Sequence, residues 1–213
     1  MRTLIKICGI TNLEDALFAA EQGADYLGFI LATGSPRRIA PDSIREMVKH
    51  LPSEVKKVGV FRNAEKNEVR SIMDFCGLDI AQLHGNETPE DAKVLALEYE
   101  IWKAIAFTSS AAFTASQQFR DFTLLADSDK QGNDCNWSLV QLTARRRRIF
   151  LAGGIAIENA AHAIETVCPA GLDICGSVEK QPGVKNHQKI KDLINRIRRA
   201  DRIQEEIREK HAL

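Results

Sequence analysis

The first apolar run of the chain, Lys6-Ile7-Cys8-Gly9-Ile10-Thr11, ends in a thiol followed at once by a glycine. Another, Leu124-Leu125-Ala126-Asp127, ends in a carboxylate, with Asp129 two residues on. A thiol and a carboxyl group that face one another can act as an acid and base pair, one donating a proton while the other accepts one. Period-two alternation puts Asp127 and Asp129 on the same face, so spacing does not choose between them; Asp127 lies closer to the apolar run and is preferred. Gly34-Ser35-Pro36-Arg37-Arg38 is a turn with two guanidinium groups, each able to hold a carboxylate or phosphate by two hydrogen bonds. Gln82-Leu83-His84-Gly85 sets an amide and an imidazole at the end of a further run, where His84 is read as shaping the site. Two later segments, Leu151-Ala152-Gly153-Gly154-Ile155 and Asp173-Ile174-Cys175-Gly176-Ser177, use small residues that expose backbone N–H groups, the chemistry of an anion site.

These residues need a scaffold that brings run ends together. Short apolar runs recur near 3–8, 25–31, 56–61, 79–83, 101–106, 122–127, 148–152 and 171–175, giving eight candidate strands. Between them lie segments with helical spacing, such as Leu13, Ala16, Leu17 and Ala20, several preceded by Asn, Asp or Thr as N-caps. Eight strand–helix units of about 26 residues each predict an α/β fold of the (β/α)8 TIM-barrel class, with an open doubly wound sheet as the alternative. In a barrel the site lies at the C-terminal ends of the strands, and phosphate binds at the last two loops, which are those carrying Gly153, Gly154, Gly176 and Ser177. Residues 128–136, polar with a single glycine, read as a mobile loop after the sixth strand. The run Arg145 to Arg148 reads as a solvated turn at a helix C-terminus, on the face opposite the site.

The 213 residues, 44% of them hydrophobic, suffice for one core, and the whole of 1–213 is expected to be a single domain with a charged helical extension from about residue 196. Twenty-nine basic residues balance 29 acidic ones, so no net field recruits nucleic acid or an anionic membrane. The N-terminal apolar run is too short for a signal peptide, and no stretch is long enough for a membrane span. Five cysteines without C-x-x-C spacing argue against a disulfide framework and against a structural zinc site, and fit the cytoplasm. A small phosphorylated ligand is the expected partner of a monomer or homodimer.

The residues resemble those of the phosphoribosylanthranilate isomerases over almost the whole chain. The resemblance is carried by Lys6-Ile7-Cys8-Gly9-Ile10-Thr11, Gly23-Ala24-Asp25 with Gly28-Phe29, Ser35-Pro36-Arg37, Val58-Gly59-Val60-Phe61 and Gln82-Leu83-His84-Gly85. It continues through Trp102-Lys103-Ala104, Leu151 to Ile155, Asp173, Val178-Glu179 and Pro182-Gly183 with Lys185. It implies an Amadori rearrangement in tryptophan biosynthesis, without metal or organic cofactor. It also implies that Cys8 is the general base, Asp127 the general acid, Arg37 the contact to the anthranilate carboxylate, and Gly153, Gly154 and Gly176 the phosphate site. Asp173 and Ser177, at the end of the eighth strand, join the expected substrate-binding set. The chain departs from the family after the sixth strand, where only Gly132 remains of a longer glycine-rich loop, and at Cys175-Gly176-Ser177, where Ser-Ser-Gly is usual. A different phosphosugar barrel enzyme, or a barrel that binds without catalysis, are the competing readings.

Overall fold

The computed structural model describes residues 2–128 and 135–211. Eight parallel strands close on themselves: β1 (Leu4–Cys8), β2 (Tyr26–Ile30), β3 (Lys56–Phe61), β4 (Ile80–Leu83), β5 (Glu100–Ala106), β6 (Thr123–Asp127), β7 (Ile149–Leu151) and β8 (Gly171–Ile174). The barrel shuts through β1 against β8, with Lys6 opposite Asp173 and Ile7 opposite Ile174. Helices α1 (Leu13–Glu21), α2 (Pro41–Val48), α3 (Lys66–Cys76), α4 (Pro89–Leu95), α5 (Ser110–Ser116), α6 (Trp137–Ala144), α7 (Ala160–Val167) and α8 (His187–His211) wind around it. The fold is the (β/α)8 barrel that the alternating runs predict, rather than an open sheet.

Local chemistry sets the helix starts. The Asn12 side chain accepts from the Asp15 N–H at 2.8 Å to cap α1. Thr88 and Asp91 cap α4 reciprocally with Pro89 at its first position, which leaves few orphan donors at that end. Gly77, in the left-handed region at φ 66°, ends α3 where a Cβ would be strained.

Away from their ends the strands are buried on both faces, which is why the runs are mostly apolar instead of strictly alternating with polar residues. Ile5, Ile7, Leu27, Phe29, Ala81, Leu124, Leu151 and Leu172 pack outward against the helices. Tyr26, Val58, Ile80, Trp102, Leu125 and Phe150 fill the barrel's lower interior. The Trp102 and Phe150 rings stand 4.4 Å apart there, and a Cβ on Gly171 would come within 2.3 Å of the Phe150 ring. Above this apolar floor the inward face turns polar, with Lys6, Gln82 and Asp173 all buried.

Two features differ from the sequence reading. Of the arginine run, only Arg145, Arg146 and Arg148 are exposed; Arg147 is half-buried and donates to the carbonyls of Ser116, Phe119 and Phe122. Arg148, though exposed, donates to the Tyr26 hydroxyl at 2.6 Å, so two of the four bind the barrel's lower end rather than only solvent. Between β8 and α8 a 3-10 turn (Gly176–Val178) leads into an antiparallel hairpin, β9 (Glu179–Gln181) and β10 (Val184–Lys185). Helix α8 is tied to the barrel by Asp201, whose carboxylate accepts from the Thr3 N–H and hydroxyl, and by Arg198, which donates to the carbonyls of Thr3 and Gly23. Residues 129–134, most of the expected loop and with it Asp129 and Gly132, lie outside the described residues.

Candidate active site

Strand alternation decides what reaches the upper end of the barrel. On β1, Leu4, Lys6 and Cys8 point inward in ascending layers, and on β6 so do Leu125 and then Asp127. Cys8 ends its strand nine-tenths buried, and its sulfur occupies space that a side chain on Gly28 would need, 2.7 Å from an added Cβ. Asp127 ends β6 with a quarter of its side chain exposed.

Asp127 is held by its neighbours. Its Oδ1 accepts from the Ser128 N–H at 2.8 Å, and its Oδ2 lies 3.2 Å from His84 Nε2. The Gln82 amide nitrogen is 3.2 Å from the other imidazole nitrogen, Nδ1. If that amide donates, the His84 proton sits on Nε2 and points at Asp127, so the row Gln82, His84, Asp127 is polarised toward the carboxylate. Gln82 Oε1 is buried and has no hydrogen-bond partner among the described residues. Gly153, at φ 73°, lies against the same carboxylate: an added Cβ would stand 2.8 Å from Asp127 Oδ1 and 2.6 Å from the Ser128 nitrogen.

Beneath Cys8 lies a buried ion pair. Lys6 Nζ is 2.9 Å from Asp173 Oδ1, with the two side chains 0% and 8% exposed. Burial works against the Lys6 ammonium, but Asp173 and Cys8 outweigh it and hold its pKa above the ordinary value. Burial pushes the Asp173 carboxyl up to about 7, opposed by Lys6 and reinforced by the negative charges of Cys8 and Asp127. The Cys8 thiol is held well below its ordinary range: the Cys175 thiol contributes most, burial opposes, and Lys6 and Lys185 add to the fall. Asp173, expected among the substrate-binding groups, is thus one layer below the strand ends and paired with Lys6.

A second charged chain runs behind the site. Arg37 donates to both carboxylate oxygens of Glu179, at 2.9 Å through Nε and 2.7 Å through Nη2. Lys185 Nζ donates to Glu179 at 2.9 Å, to the Cys8 carbonyl at 2.6 Å and to the Cys175 carbonyl at 3.2 Å. Arg37 and Lys185 outweigh the effect of burial on Glu179 and keep it ionised to lower pH. Gly154, at φ 75°, follows Gly153 beyond β7, and Gly176 opens the turn beyond β8, where an added Cβ would lie 3.4 Å from Arg37 Nη2. The Ser177 hydroxyl is engaged, donating to the Ile155 carbonyl at 2.5 Å and so joining the loops after β7 and β8.

Cys8, Arg37, His84, Asp127, Gly153, Gly154, Gly176 and Ser177 therefore all lie at one end of the barrel. A cavity of about 610 Å³ opens on the β4 to β6 side of that end, lined by His84, Asp127, Arg62, Glu87, Lys103 and Phe119 among others. It reaches the carboxylate but not Cys8 or Arg37. Among the described residues no group of three His, Cys, Asp or Glu side chains could hold a metal ion, and no helix is long and apolar enough to cross a membrane. Sequence reasoning did not single out Lys6, Glu179 or Lys185 as site residues. A lysine on the inward face of an apolar strand and a Pro-Gly dipeptide between two short charged runs were the available signals.

A family model described as N-(5'phosphoribosyl)anthranilate (PRA) isomerase matches residues 5–196. The N-(5'-phosphoribosyl)anthranilate isomerase of Syntrophus aciditrophicus (strain SB) is 38% identical over 209 residues, 95% of this chain and 90% of that protein. A crystal structure of phosphoribosyl anthranilate isomerase from Thermus thermophilus is similar at a TM-score of 0.83 and 40% identity, over 92% of this chain and 98% of that one. A second crystal structure, of a phosphoribosyl anthranilate isomerase in complex with reduced 1-(o-carboxyphenylamino)-1-deoxyribulose 5-phosphate, gives 0.86 and 36% over the same shares.

Proposed function

The chain belongs to the N-(5'-phosphoribosyl)anthranilate isomerase family, and on that premise we propose that Cys8 and Asp127 are the base and the acid of its reaction. The protein is an isomerase of tryptophan biosynthesis that converts N-(5-phosphoribosyl)anthranilate to 1-(2-carboxyphenylamino)-1-deoxyribulose 5-phosphate by an Amadori rearrangement.

The reaction needs a proton delivered to the furanose ring oxygen and a proton removed from C2. Asp127, protonated when substrate binds, gives its proton to the ring oxygen as the ring opens to a Schiff base. The Cys8 thiolate then takes the C2 proton, and the resulting enolamine gains a proton at C1 as the C2 hydroxyl becomes a ketone. The observation that carries this assignment is the position of the two groups, on inward faces at the ends of β1 and β6, with Lys6 and Lys185 beside the thiol. His84 orients the Asp127 carboxylate through the 3.2 Å contact. Arg37, fixed by Glu179, is the group for the anthranilate carboxylate. The backbone of Gly153, Gly154, Gly176 and Ser177 receives the phosphate, since the last two loops of a barrel form its usual phosphate site. Asp173 acts from below through Lys6.

We read residues 1–213 as one barrel domain with a charged helical C-terminal extension from about residue 196, working in the cytoplasm as a monomer or homodimer. Light scattering on the purified chain decides the oligomeric state. The test of the catalytic assignment is turnover of freshly generated phosphoribosylanthranilate, followed by loss of anthranilate fluorescence. Cys8→Ala and Asp127→Asn should each remove most of kcat, about 100-fold or more. Near wild-type kcat in either variant overturns that residue's role.

A further inference from the structure

The mouth of this barrel holds two thiols, and the catalytic scheme uses only one. β1 and β8 run in parallel register with Lys6 opposite Asp173 and Ile7 opposite Ile174, so one step on, Cys8 and Cys175 are lateral neighbours. Alternation turns both toward the barrel interior, since Lys6 and Asp173 two residues earlier meet there in an ion pair. The two strand ends are fastened together by one ammonium: Lys185 Nζ donates to the Cys8 carbonyl and to the Cys175 carbonyl. Glycines make room for both sulfurs, because a Cβ on Gly28 would lie 2.7 Å from the Cys8 sulfur and one on Gly9 would lie 3.1 Å from the Cys175 sulfur.

We propose that Cys175 is a positioning residue for the isomerisation, its S–H donating a hydrogen bond to the sulfur of Cys8 and holding that sulfur as the thiolate. The proposal rests on the reading of Cys8 as the base. A thiol is a weak donor, but one aimed at an anion in a site largely closed to water counts for more than the same contact in solvent. Once one of two adjacent thiols is ionised, its charge opposes ionisation of the other, and the surrounding charges select which goes first. Lys6 on β1 favours the Cys8 anion, and Lys185 on β10 and Arg37 beyond β2 act on both sulfurs. Asp173 on β8 and Glu179 on β9 neutralise those cations in turn, and Asp127 on β6 adds negative charge across the mouth. The balance puts the anion on Cys8 and the proton on Cys175: the Cys175 thiol is pushed above its ordinary range, first by Cys8 and then by burial.

The test is the pH dependence of Cys8 alkylation by iodoacetamide in the full-length, pre-reduced protein, read by mass spectrometry of the Cys8 peptide, beside the pH profile of kcat/KM. In Cys175→Ala the Cys8 midpoint should rise by about one unit, roughly a tenfold loss of thiolate at neutral pH, and the acid limb of kcat/KM should rise with it. Cys175→Ser, which keeps a donor, should return both most of the way and serves as the readout if the alanine variant does not fold. An unmoved Cys8 midpoint in the variants overturns the proposal, even if activity falls, because loss of activity alone is what a packing role predicts. A midpoint that rises while the acid limb stays fixed leaves the sulfur contact standing but removes Cys8 as the base, and with it the purpose proposed for Cys175.

Discussion

Replacing Lys6 with Met should destabilise the barrel by an amount that grows with pH. Lys6 is fully buried and 2.9 Å from a carboxylate that is itself 8% exposed. Methionine keeps an unbranched side chain one atom shorter and leaves Asp173 without its counter-charge. Removing one partner of a buried ion pair typically costs about 3–5 kcal/mol, a large share of the 5–15 kcal/mol stability of a domain. The Asp173 carboxyl limits that cost by taking up a proton. In the intact pair burial already raises it to about 7, above its unfolded value, so its contribution is fully present at low pH and is lost as pH rises through about 7. Without Lys6 the folded value climbs further, and above pH 7 the variant should keep losing about 1.4 kcal/mol per pH unit after that loss has levelled off in the wild type. Cys8 acts in the same direction. Its depressed folded value stabilises the fold above the ordinary thiol pKa, and removing Lys6 weakens that. Urea denaturation of both proteins at pH 6, 7 and 8 measures the gap. A double variant, Lys6→Met with Asp173→Val, should recover at least half of the pH 8 loss, since an apolar pair of similar volume often replaces a buried ion pair at little cost. A gap that is constant or narrows with pH, or a double variant no more stable than Lys6→Met, would refute the reasoning.

Cys8→Ser should keep substrate affinity within a few-fold while kcat falls about 100-fold or more, as steady-state kinetics will show. Gly153→Ala and Gly154→Ala both strain a left-handed residue, but only the first drives a Cβ to 2.8 Å from Asp127 Oδ1, so kcat should fall by at least about tenfold in the first and little in the second. Glu179→Gln removes the carboxylate that fixes Arg37 and neutralises Lys185; KM should rise by about tenfold with a smaller change in kcat, and equal effects on both would place Arg37 away from the ground-state contact.

The eight strands were legible because each is buried on both faces for most of its length and so reads as a short, mostly apolar run, and the helices because residues such as Asn12, Thr88 and Asn136 carry capping side chains. The ends of β1 and β6 were legible for the same reason, which is how Cys8 and Asp127 were found. The pairing of Lys6 with Asp173 was not, since the partners are 167 positions apart and meet only when the first strand closes on the last. The β9–β10 hairpin was missed because strands of three and two residues leave no periodic signal. Arg147 turns inward to three carbonyls, and nothing in a run of four arginines marks which of them leaves the solvent.

A thiol base at this position faces opposed demands, because it must leave bulk water to reach a carbon-bound proton, yet burial favours its protonated form. Cations can reconcile the two only if they stay charged, and a buried ammonium stays charged beside an anion, which for Lys6 is Asp173 as well as the Cys8 thiolate itself. Each carboxylate that serves this end, however, also repels the thiolate. Asp173 shows the compromise: it keeps Lys6 ionised, and its own pKa is raised in part by the Cys8 charge. As pH falls through about 7, Asp173 takes a proton, which removes a negative charge beside Cys8 and helps the thiolate persist. Asp173→Asn and Lys6→Met should therefore move the acid limb of kcat/KM in opposite directions. The first removes a repelling charge and should shift the limb to lower pH; the second removes an attracting one and should shift it higher. Both limbs moving the same way would mean that the pair governs Cys8 through packing rather than through charge.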